Sequence, residues 1–207
     1  ALDSLPLEDF SAFGYALAAQ QATELALSRA AESGRAGRIP IAGAAVQLLE
    51  DGMTCNIICV GCNDRIPAGD GCSGYPTDHG ETGALRNIHD FSACNWSRTV
   101  FATTLSPCIM CTRSLIHLHG LGLKRIVIAE AKSFPGRKEL LEALPGMQIV
   151  ELTNPDGIKM MDTFARRYPW DWAADIGEVP PAASSKPASL HAAWALLREQ
   201  GKQAAVV

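Results

Sequence analysis

The positions of apolar and polar residues along the chain follow two different periods, and each period predicts a type of element. Residues 7–31 carry apolar side chains at roughly helical spacing without a proline, which predicts one amphipathic helix. Residues 41–49 and 57–61 are short β-like runs, and the turn-forming Glu50, Asp51 and Gly52 between them predict a hairpin. The glycine- and proline-rich residues 65–78 predict an irregular loop, a common place for functional residues.

After this loop, the patterns of helix and strand alternate. Helical patterns occur at residues 79–89, 108–119, 136–144 and 155–167, and strand patterns at 99–103, 125–129 and 147–152. Such alternation is typical of α/β proteins with right-handed crossovers. We therefore predict a three-layer α/β/α sandwich with a central mixed sheet of about five strands.

The composition changes near the C-terminal end of the chain. Residues 179–189 are rich in proline, alanine and serine, as linkers are, and a helix is predicted at residues 190–203. We therefore predict one domain at residues 1–178, a linker at 179–189 and a helical tail at 190–207.

The charge and hydrophobicity exclude several classes of partner. The chain has 207 residues, of which 47% are hydrophobic and 19% charged, as in ordinary globular proteins. Its formal net charge is -4, whereas nucleic-acid-binding proteins carry an excess of basic residues that neutralises phosphates. No apolar run reaches the ~18 residues of a membrane-spanning helix, and the first residues show no signal-peptide pattern. We expect a cytoplasmic protein that binds neither nucleic acid nor membranes.

The cysteine and histidine residues point to a metal site. Seven cysteines without a repeated spacing favour reduced thiols over a disulfide framework. A catalytic zinc ion takes three thiolate or imidazole ligands and keeps one position for water. Cys108 and Cys111 at one predicted helix start, and His79 at the start of the preceding helix, supply three such ligands. Pro107 suits the helix start, where unsatisfied N–H groups also favour a thiolate.

Glu81 lies two residues after His79, a position that suits a proton shuttle that does not bind the metal. His-x-Glu followed by Pro-Cys-x-x-Cys is the pattern of zinc nucleobase deaminases, in which the glutamate is the general acid and base. Cys108 and Cys111 alone would also fit a redox pair, part of a structural zinc site or buried thiols. The two motifs together, at successive strand-to-helix junctions, favour one catalytic Zn2+ per chain.

Further segments resemble a known family, the cytidine-deaminase-like zinc hydrolases, and within it the fungal-type cytosine deaminases that act on the free base. The second zinc motif and the first strand of that family are similar to residues 103–108, 110–112 and 39–43. Residues 169–172 and 175–178 resemble the family's closing segment, which folds over the bound base. The resemblance extends over roughly residues 17–178.

The resemblance implies that the protein converts free cytosine to uracil with release of ammonia, and that Glu81 moves a proton from water to the ring. It implies substrate contacts by six residues: hydrogen bonds from the side chains of Asn63 and Asp175, stacking by Phe134 and Trp172, the backbone N–H of Gly80, and a contact with Ser106. It also implies a homodimer.

Several features depart from the resemblance and leave other substrates open. The loop before His79 is longer than in the family, Ile109 replaces an acidic residue, and a linker and tail follow the closing segment. The alternatives are other amino heterocycles: guanine, isocytosine, a substituted cytosine, a pterin or a creatinine-like ring. A tRNA adenosine deaminase would need a basic groove. A non-catalytic zinc-stabilised module would have no use for Glu81.

Overall fold

A computed structural model describes residues 10–65 and 74–178, and it confirms the predicted α/β class. The helices are α1 (Phe10–Arg35), α2 (Gly80–Arg86), α3 (Ile109–Gly120), α4 (Glu139–Glu142), α5 (Pro155–Arg167) and α6 (Pro169–Ile176). The strands are β1 (Ala42–Leu48), β2 (Cys55–Cys62), β3 (Thr99–Thr103), β4 (Arg125–Ile128) and β5 (Gln148–Glu151). Two short 3₁₀ helices, Phe91–Ala93 and Trp96–Arg98, precede β3. By backbone contacts the chain divides into residues 1–168 and a second unit beginning at Pro169, which contains α6.

The five strands form one mixed sheet in the order β2-β1-β3-β4-β5. Strand β1 is antiparallel to both β2 and β3, whereas β3, β4 and β5 are parallel to one another. The predicted hairpin is the β1–β2 pair, and the predicted helix–strand alternation produces the parallel half. The expected number of strands and the mixed character of the sheet are both confirmed.

The sheet separates two apolar layers, because neighbouring residues of a strand face opposite sides. On one side, Phe101 of β3 packs with Ala84 of α2 and Leu115 of α3. On the other side, Val100 and Ala102 of β3 pack against α1. Helix α5 lies beside α1, and α4 lies beside α3. The predicted α/β/α sandwich is therefore present.

Among its described side chains, helix α1 buries mainly small residues against the sheet. Its buried face against the sheet is formed by alanines spaced three or four residues apart, including Ala18, Ala22 and Ala26. Leu17 is 39% exposed. Alanine brings the helix backbone close to the sheet and favours helix formation. The helical period was therefore the correct signal, and the buried face consists of alanines with the partly buried Tyr15 and Leu25 packed against them.

Two helix ends differ from the predicted bounds because of glycines in left-handed conformations. Helix α1 continues past Gly34 and ends where Gly37 adopts a φ of 77°. There the N–H groups of Gly37 and Arg38 donate to the carbonyls of Gly34 and Ser33, both at 3.0 Å, as in a Schellman cap. Helix α4 begins later than residue 136, because Gly136 has a φ of 61° and cannot start a helix.

Parts of the prediction lie outside the described residues, namely most of the loop (residues 66–73), the linker and the predicted helix at 190–203. No helix in the ranges that the structure describes has both the length and the apolar character needed to cross a bilayer.

Candidate active site

The structure brings the three predicted metal ligands together. The ligand atoms of His79, Cys108 and Cys111 all lie within 4.8 Å of one another. The Cys108 Sγ and His79 Nδ1 atoms are 3.5 Å apart. Tetrahedral zinc with bonds of about 2.3 Å to sulfur and 2.0 Å to nitrogen places such atoms about 3.5 Å apart. The spacing and the donor set both fit a zinc ion.

Helix starts hold these ligands in place. His79 and Cys108 are the N-cap residues of α2 and α3, and Cys111 lies in the first turn of α3. The Thr82 hydroxyl oxygen accepts from the His79 N–H at 2.9 Å, and the Thr112 N–H donates to the Cys108 carbonyl at 2.8 Å. The two predicted helices begin one residue later than expected, so that both ligands have extended backbone before a helix.

Glycines set the distance between α2 and the sheet. A Cβ atom on Gly61 of β2 would lie 2.3 Å from the Ala84 nitrogen, and one on Gly83 would lie 2.4 Å from the Cys62 carbonyl oxygen. Real Cβ atoms do not approach backbone so closely, so these positions accept only glycine while α2 keeps its place. This close contact between α2 and β2 fixes the position of His79, which precedes α2, relative to the two cysteines.

The two cysteines differ in acidity. Hydrogen bonds from Cys111 and from His79 lower the pKa of Cys108 to about 4, although burial acts in the opposite direction. The same hydrogen bond, together with burial, raises the pKa of Cys111 well above its ordinary value. The lowered pKa favours the thiolate form of Cys108, which is the form that binds a metal ion.

Glu81 lies beside the ligand group and is shielded from solvent. Its residue exposure is 3%, and the Thr103 hydroxyl shares its one proton between the Glu81 Oε1 atom at 3.1 Å and the Leu105 carbonyl at 2.9 Å. The Cys111 thiol also hydrogen-bonds to this carboxyl. Burial and the negative charge of Cys108 raise the pKa of Glu81. A carboxyl group in such surroundings can both accept and return a proton.

Two predicted substrate residues, Asn63 and Gly80, lie on the His79 side of the site. Asn63 is fully buried, its N–H donates to the Ile41 carbonyl at 2.7 Å, and its Oδ1 accepts from the Arg65 N–H at 3.2 Å. Gly80 is buried against β1, where an added Cβ would lie 2.8 Å from the Ala42 nitrogen.

Ser106 and Phe134 lie on the Cys108 side. The Ser106 hydroxyl donates to the Pro135 carbonyl at 2.8 Å, and the Arg137 N–H donates to the Pro107 carbonyl at 2.9 Å. These bonds attach the loop at residues 131–137, which contains the half-buried Phe134, to the segment before Cys108.

The remaining two predicted substrate residues, Trp172 and Asp175, belong to the second unit. They lie three residues apart on α6, and so on the same side of that helix.

The sequence prediction assigned no role to the two threonines at the end of β3. Thr103 donates to Glu81, and the Thr104 hydroxyl oxygen accepts from the Ala42 N–H at 3.0 Å. Both are buried, at 1% and 2% exposure. Polar residues at the end of an otherwise apolar strand were the available signal, because buried hydroxyl groups need hydrogen-bond partners.

Cys59 and Cys62 have the same two-residue spacing as Cys108 and Cys111 but do not form a site. They lie on strand β2, where residues three apart face opposite sides of the sheet. Cys59 packs on the side of α2 and α3, whereas Cys62 packs with Ala30 of α1. A helix start, and not the spacing alone, is what brings two thiols to one metal ion.

A mixed α/β/α sheet with histidine and cysteine ligands at helix starts defines a zinc enzyme of the deaminase class. The chain belongs to the family described as the cytidine and deoxycytidylate deaminase zinc-binding region, which matches residues 18–130. The protein is therefore a zinc-dependent deaminase with a His79, Cys108 and Cys111 metal group.

Individual relatives agree with this family. A cytosine deaminase of Candida albicans is 33% identical over 155 residues, which are 75% of this chain and 94% of the Candida protein. The crystal structure of NE0047 in complex with 2,6-diaminopurine has a TM-score of 0.52 at 18% identity, over 77% of this chain and 83% of that chain. A mutant of NE0047 in complex with 8-azaguanine also has a TM-score of 0.52, at 17% identity, over 80% of this chain and 93% of that one. The two structures support the fold.

Proposed function

We propose that this protein hydrolyses free cytosine to uracil and ammonia. The observation that carries the proposal is the buried Glu81 carboxyl beside the metal group, because hydrolytic deamination needs a group that both takes and gives a proton. The similarity to the Candida cytosine deaminase, which extends over most of both chains, supports cytosine as the substrate.

In the proposed reaction, the metal site would activate water and Glu81 transfers protons. A zinc ion held by His79, Cys108 and Cys111 would supply Lewis acidity that makes water nucleophilic at neutral pH. Glu81 takes one proton from the attacking water and delivers it to the ring nitrogen. It then moves the second proton from the added hydroxyl group to the amino group, so that the carbon–nitrogen bond breaks, ammonia leaves and the carbonyl group of uracil forms. The Thr103 hydroxyl, which also contacts the Leu105 carbonyl, lies beside one Glu81 oxygen and helps to orient the carboxyl for both transfers.

The remaining predicted residues would bind the base. The Asn63 and Asp175 side chains complement the donors and acceptors of the ring edge, and the Gly80 N–H donates to the base near the metal. Phe134 and Trp172 would stack on the ring faces. The Ser106 hydroxyl proton is already donated to Pro135, so this side chain can only accept a hydrogen bond from a substrate.

A panel of substrates tests the choice of cytosine. Ammonia release would be measured with the zinc-loaded protein on cytosine, guanine, isocytosine, a pterin and creatinine, and on a nucleoside and an oligonucleotide. We expect the highest kcat/KM for cytosine. Higher activity on another ring would refute cytosine as the substrate, and release from the oligonucleotide would favour nucleic-acid editing.

Glu81→Gln tests the proton shuttle. The amide can keep the hydrogen bond from Thr103, but it cannot move protons, so we expect a loss in kcat of about 10²-fold to 10⁴-fold with about one zinc ion retained per chain. Glu32→Gln is the matched control, because Glu32 is exposed and paired only with Arg29 among the contacts described. If Glu81→Gln kept wild-type turnover, the proposed role of Glu81 would be wrong.

Two further expectations from the sequence remain predictions: a homodimer, which analytical ultracentrifugation would detect, and a cytoplasmic location.

A further inference from the structure

Four charged side chains of alternating sign lie next to the turn that carries His79. Arg38 pairs with Asp64, and Arg86 pairs with Asp78. The Arg86 Nη2 atom is also 3.7 Å from the Asp64 Oδ2 atom, so Arg86 bridges the two carboxylates. We call these four residues the ion-pair chain.

The two carboxylates of the ion-pair chain belong to the segments that carry predicted site residues. Asp64 directly follows Asn63, and Asp78 directly precedes His79. The Asp64 N–H donates to the Asp78 carbonyl at 2.9 Å, so the two segments also meet through the backbone. A shift between these segments would change the position of His79 relative to Asn63.

The surroundings favour a stronger effect than an ordinary surface ion pair would have. The Asp78 side chain is only 9% exposed, and that of Asp64 is 28% exposed, although Arg86 itself is 48% exposed. Exposed ion pairs contribute little, but a buried carboxylate that loses its partner is costly. The guanidinium group also lies over the Tyr75 ring, 5.9 Å from its centroid, which restricts its position.

Without Arg86, the nearly buried Asp78 carboxylate would lose its cationic partner, and Asp64, which keeps its pair with Arg38, would no longer be joined to Asp78 through a side chain. An arginine can satisfy both, because its planar group presents several N–H donors in fixed directions. A lysine could supply the positive charge, but its single ammonium group could not contact both carboxylates in the same way.

We propose that Arg86 is a positioning residue that joins the Asn63–Asp64 and Asp78–His79 segments and so holds the metal ligand and the substrate-binding amide at the correct separation. The part that concerns Asn63 rests on the proposed function, whereas the part that concerns His79 does not.

The test compares Arg86→Gln, Arg86→Lys and Arg166→Gln in the zinc-loaded, full-length chain. Arg166 is the matched control, because its ion pair with Asp162 lies on the exposed surface of α5. The rate of zinc release to a chromogenic chelator should rise about 10-fold in Arg86→Gln, because the segment that carries His79 loses its side-chain connection to Asp64. Arg86→Lys should recover part of this loss, and Arg166→Gln should match the wild type.

The second measurement is steady-state deamination at saturating zinc. We expect the KM of Arg86→Gln to rise about 10-fold while kcat stays within about 3-fold, because binding rather than proton transfer is affected. Wild-type zinc release and KM in Arg86→Gln would overturn the proposal, as would equal changes in Arg166→Gln. If the wild type deaminates none of the bases, the proposed function fails, but the zinc-release measurement still tests the role of Arg86 toward His79.

Discussion

Replacing Gly61 by alanine should displace α2 and weaken the metal site. The new Cβ would lie 2.3 Å from the Ala84 nitrogen and 2.4 Å from the Gly83 carbonyl carbon. Comfortable contacts are about 3.5 Å, so α2 and β2 must separate by about 1 Å. Both obstacles are backbone atoms, so no side chain can rotate to make room. Overpacking of this kind costs about 1–3 kcal/mol.

The same displacement affects His79, which caps α2. Metal–ligand distances tolerate only about 0.2 Å, so a shift of about 1 Å should lower zinc affinity at least 10-fold. Unfolding in urea would measure the stability, and competition with a chromogenic chelator would measure the affinity. Gly120→Ala is the control, because its Cβ meets nothing within 4 Å at the end of α3. If Gly61→Ala kept the stability and the zinc affinity of the wild type, the spacing argument would be refuted.

Three further predictions concern single side chains. Cys108→Ala should lose zinc, as measured by metal analysis after dialysis, and stoichiometric zinc in this variant would remove Cys108 from the ligand set. Burial raises the pKa of Cys59 from 9.0 to about 12. The unfolded chain therefore loses this proton at lower pH, and stability should fall by up to about 1.4 kcal/mol per pH unit above pH 9. The stability of Cys59→Ala should fall less steeply above pH 9 than that of the wild type. An equal fall in both proteins would show that Cys59 does not cause the pH dependence. Asn154→Ala removes the Oδ1 acceptor for two N–H groups at the start of α5 and should lower the unfolding free energy by about 1 kcal/mol. An unchanged urea midpoint would contradict that role.

The sequence predicted the metal group because each of its parts produces a local pattern. The helix starts at His79 and Cys108 come after strands β2 and β3, and parallel or hairpin-linked strands bring such junctions to one edge of a sheet. The ligand residue types then restrict the chemistry. Short-range rules were therefore enough for the fold class, the order of elements and the three ligands.

Long-range contacts were not predictable in this way. The closeness of Gly61 to α2, the bond from Thr103 to Glu81 and the ion-pair chain around Arg86 all join residues far apart in the sequence. Their partners are decided by the packing of helices on the sheet, which no local pattern specifies. The same reason explains why Cys59 and Cys62 share a motif spacing without sharing a face.

Four main-chain groups of the loop at residues 131–137 attach it to its surroundings. The carbonyl of Pro135 and the N–H groups of Lys132, Ser133 and Arg137 make its bonds, to Ser106, Glu130 and Pro107. These main-chain bonds do not depend on the identity of the loop's side chains, provided that Gly136 is retained for its left-handed backbone. If Phe134 contacts the ring as proposed, this loop is where an engineer would randomise residues to obtain a deaminase for a different base, without disturbing the zinc ligands.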